Sequence, residues 1–159
     1  MAGARLEPRD FEGVIRLTPL VSIDMVVRSS EGRVLVGRRK NEPAKGCFFV
    51  VGGRITKNET IAAAFSRLSL AELGVEKTLE EARFLGVYEH FYPTNHLDRP
   101  GFGTHYVVLA YEVVSPVQDA LLPMDQHGEY AWKTEAELLG SPEVHEHTKA
   151  YFTSAKAGG

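Results

Sequence analysis

The order of elements in the sequence predicts an α/β sandwich, α/β/α in its layers, built on a mixed β-sheet. Three observations carry the prediction. The start of residues 20–27 alternates Leu20, Ser22 and Asp24 against Val21, Ile23 and Met25, the period of a strand. Residues 56–74 show helical apolar spacing with punctuation at both ends. Strands and then short helices follow, so the chain does not repeat regular βαβ units.

Each element has its own signal. Ser29 to Gly32 is a turn, and 33–37 returns as a second strand. Residues 48–51 are apolar and bounded by glycines, the mark of a short buried strand. Thr56 and Glu59 have the Thr-x-x-Glu spacing of a capping box. Ile61, Ala64, Phe65 and Leu68 then recur on one helical face, and Gly74 is placed to stop the helix. Further strands are expected at 84–91, 105–113 and 130–133. Thr134 and Glu137 open a short helix through Leu139, and 143–155 reads as a last helix. All 159 residues are expected to form one domain, with loose tails at 1–7 and 155–159.

Composition narrows the function. A formal net charge of −3 argues against a general nucleic-acid binder. No apolar run approaches the ~20 residues of a membrane span, and no signal peptide is visible. Cys47 is the one cysteine, so no internal disulfide can form. Its apolar neighbours Phe48 to Val51 give it a packed role. The expected location is cytoplasmic.

The chemistry concentrates between Gly53 and Val75. Gly53, Glu59, Arg67, Glu72 and Gly74 are spaced as G-x5-E-x7-R-x4-E-x-G. Paired glycines at Gly52 and Gly53 form a tight turn; they also let backbone approach a ligand and leave carbonyls able to meet a cation. Positions 68, 71 and 72 share one helix face. Three glutamates there would hold several hard cations, but the residues are Leu68, Ala71 and Glu72. One carboxylate, a backbone carbonyl and diphosphate oxygens still suffice for one Mg²⁺. Glu59 is explained as a capping acid.

These spacings resemble the Nudix superfamily, and more closely its GDP-mannose mannosyl hydrolase branch. The likeness runs through DFEGVIRLTPLVSIDMVV, VGRRKNEPAKGCFFVVGGR, FSRLSLAELGV, GVYEHFYP, THYVVLAYEV, LPMDQHGEYAWKT and VHEHTKAYF. Leucine and alanine in place of two glutamates mark that branch. The resemblance implies a Nudix fold, a homodimer and one Mg²⁺ per subunit, with Mn²⁺ able to substitute. It implies hydrolysis of GDP-mannose, with GDP-glucose as a second candidate: water attacks the anomeric carbon and releases GDP and sugar with inversion. The alternative is a conventional Nudix diphosphohydrolase that cleaves a nucleoside diphosphate sugar at phosphorus.

The same resemblance distributes roles. The metal ligands fall on the Gly52 carbonyl, Glu72 and Gln126. His127 matches the general base, and a histidine suits proton removal from water near neutral pH. Arg39, Arg54 and Arg67 match arginines near the diphosphate, where a guanidinium fork fits phosphate. Tyr106 matches a donor to the leaving diphosphate, and Asp24 and His90 match residues near the sugar. Asp24 stands among apolar strand residues, which fits either a site or a structural ion pair. His90 fits either the sugar site or a hydrogen-bonded strand position. Phe11 is a candidate to stack on guanine or to pack in the core. Val51 stands where the branch usually has proline, and His96, His105, His145 and His147 are left without a role.

Overall fold

The computed structural model describes residues 5–115, 122 and 127–153. Seven strands among them form one mixed sheet. β1 (Leu20–Arg28) lies parallel to β6 (Thr104–Val114), with Leu20 opposite Tyr106. β5 (Arg83–Tyr92) runs antiparallel along the outside of β6 and sets His90 opposite Tyr106. On its other side β1 divides its partners. It meets β2 (Val34–Arg39) at Arg28 and Val34, then pairs with β4 (Val51–Arg54) from Met25–Val51 to Ser22–Arg54. β3 (Phe48–Phe49) and β7 (His127–Lys133) both pair with β2.

The single strand expected at 48–51 is therefore two. Phe49 belongs to the ladder of β2 and Val51 to that of β1. Between them the Val50 amide donates to Thr148 Oγ1 at 3.2 Å, which satisfies a buried N–H away from either ladder. The final strand begins at His127, three residues before the expected start.

α2 (Ile61–Leu73) covers one face of the sheet. Its Ala64, Phe65, Leu68 and Leu73 pack with Ile23, Met25, Val27, Leu35 and Val51. The helix starts later than the Thr56–Glu59 spacing suggested. Asn58 takes a left-handed φ of 70°, which a helix cannot propagate but asparagine tolerates. Thr60 is the cap, and its Oγ1 accepts from the Ala63 amide at 3.1 Å. Thr56 and Glu59 do bond, the Thr56 amide donating to Glu59 Oε1 at 3.0 Å, but they close the preceding turn. Gly74 ends the helix at φ 75°, a conformation that disfavours a side chain.

The opposite face buries Val26, Val34, Val36, Phe48, Val50 and Ala110 against Leu138, Val144 and Tyr151. Leu138 belongs to α3 (Glu135–Gly140), capped by Thr134 with the expected Glu137 partner. The helix expected at 143–155 is much shorter. Val144 bridges to Phe48, and His145 Nδ1 caps α4 (Glu146–Lys149) by accepting from the His147 amide at 3.0 Å. A 3-10 turn, Ala150–Phe152, follows. A further helix, α1 (Pro8–Leu17), escaped the sequence reading although Pro8 sits in its first turn. No helix among the described residues is long and apolar enough to cross a membrane.

The position of the α2 cap is testable. Thr60→Ala should lower stability by ~1 kcal/mol in urea denaturation; an unchanged midpoint would place the cap elsewhere.

Candidate active site

The paired strands open a cleft of about 550 Å³ on the Asp24 side of β1. Phe11, Asp24, Arg39, Gly52, Arg54, His90 and Tyr106 all line it. Six of them come from β1, β2, β4, β5 and β6, so the sheet brings these together, and Phe11 comes from α1.

Asp24 occupies the floor. In register it faces Gly52, and the contact admits no side chain there. A Cβ on Gly52 would collide with the Ile23 carbonyl oxygen and stand 2.8 Å from Asp24 Oδ1. Gly53 is constrained from the other side, since a Cβ would stand 2.5 Å from Leu68 Cδ2. Burial pushes the Asp24 carboxyl up to about 6, against the Tyr151 hydrogen bond and the Arg39 charge, which act to lower it. The ion pair considered from sequence is absent from the described contacts of Asp24. Its near partner is Tyr151, whose hydroxyl donates to Oδ2 at 2.5 Å.

Cations dominate the upper walls. The Arg39 guanidinium lies 5.3 Å from the Phe49 ring centroid, and that of Arg54 lies 5.0 Å from the Phe11 ring. Arg5 joins them in lining the cleft. Three arginines against one carboxylate suit an anion such as a diphosphate. Burial raises the Tyr106 phenol even though Arg39 and Arg54 act to lower it, so the hydroxyl remains a donor.

Two assigned residues sit apart from this lining, both on α2. Glu72 is buried at 4% exposure. Arg67 is occupied by structure: its Nε donates to Glu59 Oε2 at 2.7 Å and its Nη2 to the Arg54 carbonyl at 2.9 Å. Arg67 thus fixes the backbone that carries Arg54. Glu59 is correspondingly more than a cap, and the Arg67 hydrogen bonds hold its carboxyl at about 2. Arg38 is engaged by Glu129 and Glu143. His127 opens β7 with its backbone paired to Arg39. Gln126 and the His127 side chain lie outside the described residues.

Several cleft neighbours were not singled out from sequence. Tyr92 and His96 also line it, and the His96 ring lies 6.2 Å from Phe11. His145 and His147, two apart in sequence, come within 4.6 Å of one another, and His147 stacks on His90 at 4.2 Å. Burial, with His147 nearby, pushes the His145 imidazole down to about 4. No group of three or more His, Cys, Asp or Glu able to hold a metal occurs among the described residues. Of the ligands expected from the sequence, the Glu72 carboxylate and the Gly52 carbonyl lie among the described residues, and both offer oxygen. That all-oxygen donor set, with a glycine that leaves its backbone uncovered, fits Mg²⁺.

The Glu59 carboxyl yields a pH prediction. Its folded pKa lies below the ordinary value of 4.5. Its stabilisation is thus complete above about pH 4.5 and lost as pH falls toward about 2. Wild type should exceed Glu59→Gln in stability near neutrality, and the gap should shrink across that window in acid denaturation. A gap independent of pH would contradict the ion pair.

Comparison with known proteins agrees with this architecture. The NUDIX domain model matches residues 18–155. The low-salt glycan biosynthesis protein Agl8 of Haloferax volcanii is 43% identical over 127 residues, 79% of this chain and 77% of that protein. An ADP-ribose pyrophosphatase of Methanocaldococcus jannaschii is 35% identical over 72 residues, 45% of this chain and 41% of the relative. The crystal structure of a MutT NUDIX hydrolase from Burkholderia pseudomallei superposes with a TM-score of 0.66 at 26% identity, covering 84% of this chain and 95% of that one.

Proposed function

The chain belongs to the Nudix family, and from that premise we propose that it hydrolyses a GDP-sugar, GDP-mannose foremost, at the anomeric carbon. One observation carries the proposal: Asp24 and His90 share a single cleft with Arg39, Arg54 and Tyr106. Asp24 and His90 supply polar groups that suit a sugar, and Arg39 and Arg54 supply positive charge that suits a diphosphate. The α2 face supports the same reading. Leu68 is packed in the core where a metal-binding carboxylate would be needed for denser cation chemistry, and Ala71 adds none. The named role of Agl8 in glycan biosynthesis favours a sugar-bearing substrate.

In this mechanism Asp24 and His90 hold the sugar, and Phe11 offers a face to the base. His127 removes a proton from water as the oxygen bonds to the anomeric carbon. The bond from that carbon to the β-phosphate oxygen breaks, and its electron pair leaves with GDP. Arg39 and Arg54 stabilise the departing charge, and Tyr106 donates a hydrogen bond to it. Glu72, the Gly52 carbonyl and Gln126 would hold one Mg²⁺, which neutralises diphosphate charge when bound. With so good a leaving group, the second carboxyl group common in glycosidases is dispensable. Arg67 serves by holding Arg54 in place.

Hydrolysis of GDP-mannose in ¹⁸O-labelled water tests the bond cleaved. Label should enter free mannose; label in a nucleoside monophosphate or sugar phosphate would instead establish attack at phosphorus. His127→Gln should lower kcat by ~10²–10⁴-fold, and an unchanged kcat would refute the base. Glu72→Gln should raise the Mg²⁺ concentration needed for half-maximal activity; an unchanged requirement would remove Glu72 from the ligand set.

A further inference from the structure

Asp24 and His90, which line the cleft, share a hydroxyl to which the mechanism gives no role. Tyr151 is 7% exposed and comes from the turn after α4, far in sequence from either neighbour. Its hydroxyl donates to Asp24 Oδ2 at 2.5 Å and lies 3.4 Å from His90 Nε2. The ring is held independently, edge-on to Tyr88 at 4.7 Å and 90°.

We propose that Tyr151 is a positioning residue whose single hydroxyl sets both the orientation of Asp24 and the tautomer of His90.

A phenol has one O–H. Tyr151 donates it to Asp24 Oδ2, the shorter of its two contacts. Toward His90 the phenol oxygen can then only accept, which requires the ring proton on Nε2 and leaves Nδ1 as the acceptor. On Asp24 the same bond occupies Oδ2, while Oδ1 lies on the Gly52 side. A carboxylate able to rotate would present either oxygen to a sugar hydroxyl; this one presents Oδ1. Stacking of His147 on His90, 3° from parallel, holds the imidazole plane while Tyr151 selects its proton position.

The inference rests on the sugar-binding reading of Asp24 and His90 for its catalytic consequence, but its structural half stands without activity. Nitrogen-15 NMR of the histidine rings at alkaline pH, where imidazole is neutral, should show His90 with a protonated Nε2 and a bare Nδ1. Tyr151→Phe deletes only the hydroxyl and keeps the ring, and it should shift His90 toward a mixture of tautomers. Bare Nε2 in the wild-type protein, or an unchanged tautomer in Tyr151→Phe, overturns the proposal. In turnover of GDP-mannose, Tyr151→Phe should lower kcat about tenfold with little change in KM. Added to Asp24→Asn it should cause no further loss, and fully additive losses would count against the coupling. If wild type releases no GDP from GDP-mannose, the functional reading fails, and the NMR result alone decides the role of Tyr151. Should Tyr151→Phe not fold, the wild-type His90 tautomer still decides it.

Discussion

The pairing of Asp24 with Gly52 is the constraint on which the rest of the site depends. β1 runs parallel to β6 along its whole length but leaves β2 after one pair to take up β4. That exchange brings a glycine backbone against the Asp24 carboxyl, with no space for a Cβ between them. It also sets Arg54 two residues further along β4, at the mouth of the same cleft. A substitution at Gly52 would push the strands apart within the cleft that this residue lines. Val51, in place of the proline usual in the branch that the sequence resembles, is fully buried and keeps its place in the ladder opposite Met25.

Charge is arranged around that pairing in two tiers. The inner tier is Asp24, poised by burial and tied by Tyr151. The outer tier is Arg39 and Arg54, each lying by an aromatic ring rather than a carboxylate in the described contacts. Arg67 carries an ion pair with Glu59 and braces β4 against the turn before α2. The three arginines thus divide into two that line the cleft and one that holds the frame. Such division is consistent with catalysis by electrostatic preorganisation, in which donors are fixed before charge develops.

Much of this was legible in the sequence, and the failures have physical causes. Alternation and capping signals located β1, β2, β5, β6, α2 and α3 to within a few residues. The resemblance placed seven residues that converge on one cleft. Element ends were misjudged where side chains compete for backbone groups. Asn58 delays α2, Thr148 splits the strand at Val50, and His145 starts α4 late by capping it. Glu59 was read from local spacing alone, so its partner eight residues on was missed. Tyr151 had no local signal, since its function lies in an oxygen that reaches a strand 127 residues earlier.

The proposed reaction brings water to carbon, with GDP departing from the opposite face. Proton NMR of the sugar during the first turnovers of α-configured GDP-mannose tests it most directly. Inverting attack predicts that β-mannose appears first and mutarotates afterward to the equilibrium mixture. First appearance of α-mannose 1-phosphate, or of α-mannose, would contradict it.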